Sequence, residues 1–502
     1  MVNKIYTVSE HLNYSGVVEI QSNISDKGLP TFELSGLVSK SVEESKKRVV
    51  ISLENSGFNF PLKNILINIA PASISKSGTH YDLGIAISII KEKITIPFEK
   101  SAFIGELSFD GSIRKVENIF YLVVTAIEKG FKHIYVPEES SNQFFKIGDV
   151  NIYPLKNLSD LLKLSDISPI NFNLDPLKEI KNESNVYSRI KANHFGKKAI
   201  SYSLIGNHSI FLQGFPGVGK SMLVKSMLEL APNLEFEDYL NVSKIYSYAG
   251  LTLDSNQFTL PFRNPHPLSS YSSMFGSFSS KLIVGEVCLA NKGILFLDEF
   301  PEFNRLIIEG LRLPLEDKII NLSRSGIKTK LDCDFILAAT SNFCKCGYFN
   351  HPKIGCNCSP IDIRRYQSRI SGPILDRIDI KVIIPEMGTN KIEEGNKYSY
   401  LDFTNIKKTI HEKKKIRKSL LNIDKSTKYN ESSLCNIIVQ RFLPLNLYNI
   451  LINELKSNSI SERAKNKLIN LIFTISIFNN REIISIEDLF EGISMSIKKH
   501  SL

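Results

Sequence analysis

The stretch Gly214-Phe215-Pro216-Gly217-Val218-Gly219-Lys220-Ser221 decides the fold. It meets G-x-x-x-x-G-K-[ST] at every required position. HSIFLQ (208–213) before it reads as a buried strand, and SMLVKSMLELA (221–231) after it as a helix. In such a strand–loop–helix the glycines let backbone N–H groups converge on phosphate oxygens, and the helix N-terminus adds a favourable dipole. Lys220 then reaches the β- and γ-phosphates, and the Ser221 hydroxyl ligates Mg²⁺. All eight residues are candidate nucleotide contacts.

Downstream, GILFLDEF (293–300) is an apolar run ending in two carboxylates, the pattern of a strand buried in a parallel sheet with its ligand site at the carboxyl end. Asp298 there joins the magnesium shell, and Glu299 orients and deprotonates the attacking water. A third strand, FILAAT (335–340), ends in Ser341-Asn342, whose amide could position that water and sense the γ-phosphate, or serve only as a turn residue. SRISGPILDRIDI (368–380) carries Arg369 and Arg377 ahead of another apolar strand. An arginine there can serve a neighbouring subunit's γ-phosphate as a finger in trans, or act as a salt-bridge partner.

The wider composition agrees with a globular enzyme. At 502 residues the chain has room for two to four domains, and 42% hydrophobic with 23% charged residues excludes a largely disordered chain. Seven cysteines are too few for a disulfide-built scaffold. The N-terminus lacks a signal-peptide core, and IAISII (85–90) and LINLIFTISIF (468–478) fall short of a membrane span. The expectation is a soluble cytoplasmic protein without a membrane partner. A net charge of +10 favours polyanion partners but does not by itself name one.

Along the chain, 1–165 reads as an α+β domain, with strands at 63–70, 102–109 and 132–137 and helices at 81–93 and 117–130. GELSFDGSI (105–113) reads as a hairpin. Residues 166–196 form a polar connector, 197–385 an α/β core, 386–401 a polar break, and 402–502 a helix-rich, basic end. The fold class is multidomain α/β.

Taken together the motifs resemble the ComM/YifB family of magnesium-chelatase-like AAA+ ATPases. The likeness runs through GLPTFELSGLVSKSVEESKKRV (28–49), NSGFNFPLKNILINIAPA (55–72) and GELSFDGSIRKV (105–116), then GEVCLANKGILFLDEFPEF (285–303), LRLPLEDKIINLSRS (311–325), RYQSRISGPILDRIDI (365–380) and SERAKNKLINLI (461–472). The resemblance implies a Lon-protease-like N-terminal domain, a P-loop AAA+ core and a C-terminal helical lid. It implies Asn342 as first sensor, Arg377 as finger and Arg463 as second sensor. It also implies ATP and Mg²⁺ as cofactors, assembly into a homo-oligomeric ring, commonly a hexamer, and single-stranded or branched DNA as partner. By the same likeness 315–332 is a hairpin facing a ring channel, so Arg324, Lys328 and Lys330 are candidate DNA contacts.

Two departures inform. In SKSGTHYDLGIAI (75–87) the place of a Lon-type nucleophilic serine falls among Thr79, His80 and Tyr81, and the companion lysine falls near Phe120. A serine–lysine dyad needs both members, so no peptidase activity is expected. In RNPHP (263–267), where the family more often has a His–His pair, His266 is followed by Pro267.

Cys344, Cys346, Cys356 and Cys358 form two C-x-C pairs that could wrap one metal, structural Zn²⁺ or an iron–sulfur centre, or remain unliganded thiols. IKKTIHEKKKIRKSL (406–420) reads as a helix with Ile406, Ile410, Ile416 and Leu420 inward and Lys407, Lys408, Lys413, Lys414, Lys415, Arg417 and Lys418 outward, a face that could contact phosphates or be simply solvated. The function expected is a Mg²⁺-dependent DNA-remodelling ATPase, a helicase or branch-migration motor of recombination or natural transformation. A magnesium-chelatase motor subunit and a protein-remodelling or regulatory ATPase are the alternatives.

Overall fold

Ile210–Gly214, Ile294–Leu297, Ile336–Ser341 and Ile380–Ile384 are apolar along nearly their whole length, and such runs are stable as strands covered on both faces. In the structure, a computed structural model, they join Phe262–Arg263 in one parallel sheet. Its order is Phe262–Arg263, Ile294–Leu297, Ile336–Ser341, Ile210–Gly214, Ile380–Ile384. The structure describes residues 2–11, 14–72, 76, 78–144, 149–170, 186–190, 193–251, 258–278, 282–324, 327–386, 401–421, 431–457 and 461–496. Most of the expected connector (166–196) and nearly all of the break (386–401) lie outside the described residues.

The chain divides into two compact units. The first is Met1–Lys178 with Glu235–Phe258 and Ser323–Thr329, so it is not one stretch of sequence. Its four-stranded sheet pairs Val2–His11 with Tyr14–Ser25, Tyr14–Ser25 with Asn64–Ala70, both antiparallel, and Asn64–Ala70 with Thr31–Ser35 in parallel. The helix Asp82–Ile90 is buried throughout, and a Cβ on Gly84 would lie 2.7 Å from Ile20 Cδ1, so glycine lets the helix close on the sheet. A second, parallel sheet orders Ser101–Phe103, His133–Pro137 and Asn151–Leu155. The expected hairpin at 105–113 is present as Glu106–Leu107 against Ile113–Arg114.

Also in this unit, the helix Phe236–Tyr248 packs on the helix Ile119–Glu128. Phe120 meets Tyr239 edge-on, the Tyr121 and Tyr248 hydroxyls lie 2.8 Å apart, and Lys244 pairs with Glu128. Phe120, where the resemblance would put a dyad lysine, is therefore an aromatic anchor. At the companion position the Thr79 hydroxyl donates to Glu106, and burial holds the His80 imidazole down to about 4.

The second unit is Glu179–Leu234, Thr259–Leu322 and Lys330–Leu502. It holds the five-stranded sheet and the C-terminal helices. Ser461 caps the helix Glu462–Phe478 by accepting from Ala464 N–H, and the helix is buried over most of its C-terminal two-thirds. The helix Phe403–Leu420 corrects the expected basic face: Lys413 and Arg417 are buried with Ile406 and Ile410. Their long side chains reach Asn480 and Asn470, so the inward stripe is 406, 410, 413, 417 rather than purely aliphatic. Ile319–Arg324 and Ile327–Asp332 form the expected hairpin; Lys330 is exposed, while the Arg324 and Lys328 side chains lie outside the described residues. No helix among the described residues is long and apolar enough to cross a membrane.

Candidate nucleotide site

The strand order brings the separated motifs to one edge. Leu297 is level with Ala339, and Gln213 with Ser341, so residues 214, 298 and 342 leave adjacent strands at the same end. Gly214 passes so close to Ile384 O that a Cβ would lie 2.7 Å from it. Gly217 and Gly219 have φ of +79° and +88° with open space around them, so conformation rather than crowding requires glycine. Val218 packs against the core, and Pro216 is exposed. The loop runs straight into the helix Lys220–Leu230.

Inside the loop, Lys220 Nζ donates to Gly214 O (2.9 Å), Phe215 O (2.8 Å) and Asn342 Oδ1 (2.9 Å). Burial lowers its ammonium to about 8. The Ser221 hydroxyl lies 3.0 Å from both Asp298 oxygens. Thr340 donates to the same carboxylate and accepts the Glu299 N–H at 3.0 Å. Glu299 has φ +54°, an uncommon conformation for a residue with a side chain, and its carboxylate is exposed without a hydrogen-bond partner among the described residues. Hydroxyl and carboxylate oxygens side by side are the donor set Mg²⁺ takes, so Ser221 and Asp298 fit that ion. Phosphate loop, Asp298, Glu299 and Asn342 thus form one constellation. Thr340, which ties Asp298 to Glu299, was not singled out from the sequence; only the strand order puts it there.

The arginines gather elsewhere. Arg377 Nη2 lies 2.7 Å from Glu316 Oε2, and Arg463 donates to the other Glu316 oxygen. Arg377 also donates to Arg312 O (3.2 Å) and Pro373 O (2.8 Å). Burial opposes ionisation of Glu316, but the two arginines bring its carboxyl below the usual value. Among the described residues, neither arginine bonds to the groups around Lys220. Arg369 faces Glu302 at 3.5 Å instead. Glu316 also escaped the sequence reading, because a glutamate in LPLED carries no motif. His266 is exposed and its Nδ1 accepts Leu268 N–H, closing a local turn.

Directly after Asn342, the four clustered cysteines come together. Cys344, Cys346 and Cys356 sulfurs are 3.3, 3.7 and 3.5 Å apart pairwise, and all four lie within 4.8 Å of one another. Backbone N–H groups of Tyr348 and Asn357 face the Cys346 sulfur and hold its thiol down to about 6.

Comparison with known proteins gives consistent matches. The family model for magnesium chelatase, subunit ChlI, matches residues 187–392, and a second for the same subunit matches 20–140. The chain is 31% identical to competence protein ComM of Haemophilus influenzae over 382 residues, 74% of each chain. It is 32% identical to the uncharacterized protein YifB of Escherichia coli over 375 residues, 73% of each. A shorter match, 25% over 181 residues, joins 36% of this chain to 17% of the DNA replication licensing factor Mcm2 of Drosophila melanogaster.

Proposed function

The chain belongs to the ComM/YifB family of magnesium-chelatase-like AAA+ ATPases, and from that premise we propose that it is a cytoplasmic ring motor that spends ATP on remodelling single-stranded or branched DNA. The observation that carries the reading is the constellation of Lys220, Ser221, Asp298, Glu299, Thr340 and Asn342 at one sheet edge.

In this reading Lys220 exchanges its carbonyl partners for phosphate oxygens, and the loop N–H groups hold the β-phosphate. Ser221 and Asp298 hold Mg²⁺, which when bound neutralises charge on the phosphates. Glu299, without a hydrogen-bond partner among the described residues and on a strained backbone whose N–H is held by Thr340, accepts a proton from the attacking water. Asn342 links the sensor strand to Lys220. Arg377 acts as the finger on the γ-phosphate of the next subunit, and Arg463 is the second sensor, with the C-terminal helices as lid. The Lon-like domain serves as an assembly or partner module. Exposed Lys330 supplies a phosphate contact, and the names of two relatives, a competence protein and a DNA replication licensing factor, favour DNA as the partner. The four clustered thiols hold a structural metal.

Steady-state ATPase rates with and without single-stranded and branched DNA test both halves. DNA should raise the wild-type rate, and Glu299→Gln should lower kcat by about 10²–10⁴-fold while nucleotide still binds. Equal rates in the variant refute the water-activating role. Absence of DNA stimulation, with no retention on DNA at low salt, refutes the DNA half.

A further inference from the structure

Between the strand Ile336–Ser341 and the helix Pro360–Gln367 the described chain has no helix or strand. Loops of that length without secondary structure are uncommon in a compact domain and need something to order them. Two groups inside this one do so. His351 Nδ1 accepts the N–H groups of Lys353 and Ile354, both at 3.0 Å, and its Nε2 lies 3.3 Å from Glu386, which fixes the ring and the return of the chain toward Cys356. The cysteines supply the rest. A tetrahedral thiolate site with metal–sulfur bonds of about 2.3 Å sets its sulfurs about 3.8 Å apart, and the observed separations of 3.3–3.7 Å approach that spacing with no S–S bond present. One ion fits among sulfurs this close; a multi-iron cluster, a body several ångströms across, does not.

The same segment presses on the phosphate loop. The Phe215 ring is held edge-on between Phe343, centroids 5.0 Å apart, and His351, 4.5 Å apart. Gly347 has φ +92°, and a Cβ there would come within 2.4 Å of Pro216 Cγ. Asn342, two residues before Cys344, receives Lys220 at 2.9 Å.

We propose that Cys344, Cys346, Cys356 and Cys358 hold one tetrahedrally coordinated thiophilic cation, of the Zn²⁺ kind, and that this ion fixes the 342–359 segment as a clamp on the phosphate loop, so that metal loading sets nucleotide affinity. The clamp rests on the reading of Gly214–Ser221 as the nucleotide loop. Its logic is preorganisation: a loop held in its binding shape does not have to be ordered by the ligand. The metal has no part in the chemistry. It acts through Phe215, Pro216 and Asn342.

The full-length protein, purified without chelators, is assayed for metal by mass spectrometry. Its affinity for a fluorescent ATP analogue is measured as purified, after chelator extraction, and after Zn²⁺ is returned. One ion per chain is expected, with affinity falling about tenfold on extraction and recovering with Zn²⁺. Cys356→Ser should lose ion and affinity together. Gly347→Ala keeps all four thiols and should keep the ion, yet bind the analogue about tenfold more weakly because its Cβ displaces Pro216. A protein that neither contains metal nor takes up Zn²⁺ or Co²⁺ overturns the site. Unchanged affinity in extracted wild type or in Gly347→Ala overturns the clamp, and neither readout depends on Cys356→Ser folding. Lys220→Ala separates the two readings, since it should keep the ion and lose the analogue. Wild-type binding by that variant would remove the nucleotide-loop reading itself.

Discussion

Asp379 and Glu316 each join the segment around residues 377–379 to the helix Glu462–Phe478, but in opposite surroundings. Asp379 is buried, with Lys467 Nζ at 3.1 Å and the Ser209 N–H at 2.8 Å. His208, 4.0 Å away, is kept neutral by burial and hydrogen-bonds Thr474 through Nε2 at 2.8 Å. Glu316 takes Arg377, two residues before Asp379, and Arg463, one helical turn before Lys467, and all three side chains keep contact with solvent. Water cannot replace the partners of the buried carboxylate, so that pair fixes where the helix lies. At the exposed carboxylate water or phosphate can compete, so that contact holds the arginines loosely enough to be given up. One node is a pin and the other a resting place.

The comparison breaks most readily at Arg377. If it is the finger acting on a neighbouring subunit, Arg377→Ala should lower kcat by about 10³-fold with little change in nucleotide affinity, the scale a trans-acting arginine contributes. Mixing Arg377→Ala with Glu299→Gln subunits, each nearly inactive alone, should restore part of the rate, because a ring then contains sites with an intact Glu299 facing an intact Arg377. A mixture no faster than its components would remove the trans assignment.

Next in size is the pin. Asp379→Asn preserves volume but leaves Lys467 buried without a counter-charge, at a cost of about 3 kcal/mol. Denaturant unfolding followed in the second unit measures it. The sign of the pH effect follows from the same contacts. Burial would raise the Asp379 carboxyl, but Lys467 and its hydrogen bonds hold it below its ordinary value. Its contribution is therefore present above the unfolded-state value of about 4 and lost as pH falls through the lower folded value. The variant should lose that acid-dependent component of stability. A variant as stable as wild type would show that Lys467 finds water or another partner, and the distinction between the nodes would fail.

What the sequence alone makes legible follows the same division. Gly214–Ser221, Asp298, Glu299 and Asn342 can be read there because each ends a continuous apolar run, and parallel strands deliver such ends to one edge. Thr340 cannot, since its role depends on strand 336–341 lying beside strand 294–297, which no local pattern states. The buried Lys413 and Arg417 read as solvated because charge outweighs the 406/410/413/417 period that their side chains complete. The pairing of Val2–His11 with Tyr14–Ser25 is hidden too: Thr7, Val8 and Ser9 are all buried, so the alternation that marks a one-sided strand is missing. Glu316 stands out only once two distant arginines are found on it.

The smallest expected effect is the sharpest for the resting-place idea. In Glu316→Gln, Arg377 keeps its bonds to Arg312 O and Pro373 O, while Arg463 loses its charged partner. Exposed ion pairs contribute about 0–1 kcal/mol, so unfolding should shift by less than about 1 kcal/mol. Because Arg377 stays anchored, kcat should change by less than about tenfold, well short of the loss in Arg377→Ala. The rate should also lose part of its salt dependence, since salt weakens the competing Glu316 contact in wild type and has none to weaken in the variant. A fall in kcat as deep as that of Arg377→Ala would mean that Glu316 positions the finger during the reaction. The exposed node would then be a working part of the site, holding its arginines as firmly as Asp379 holds Lys467.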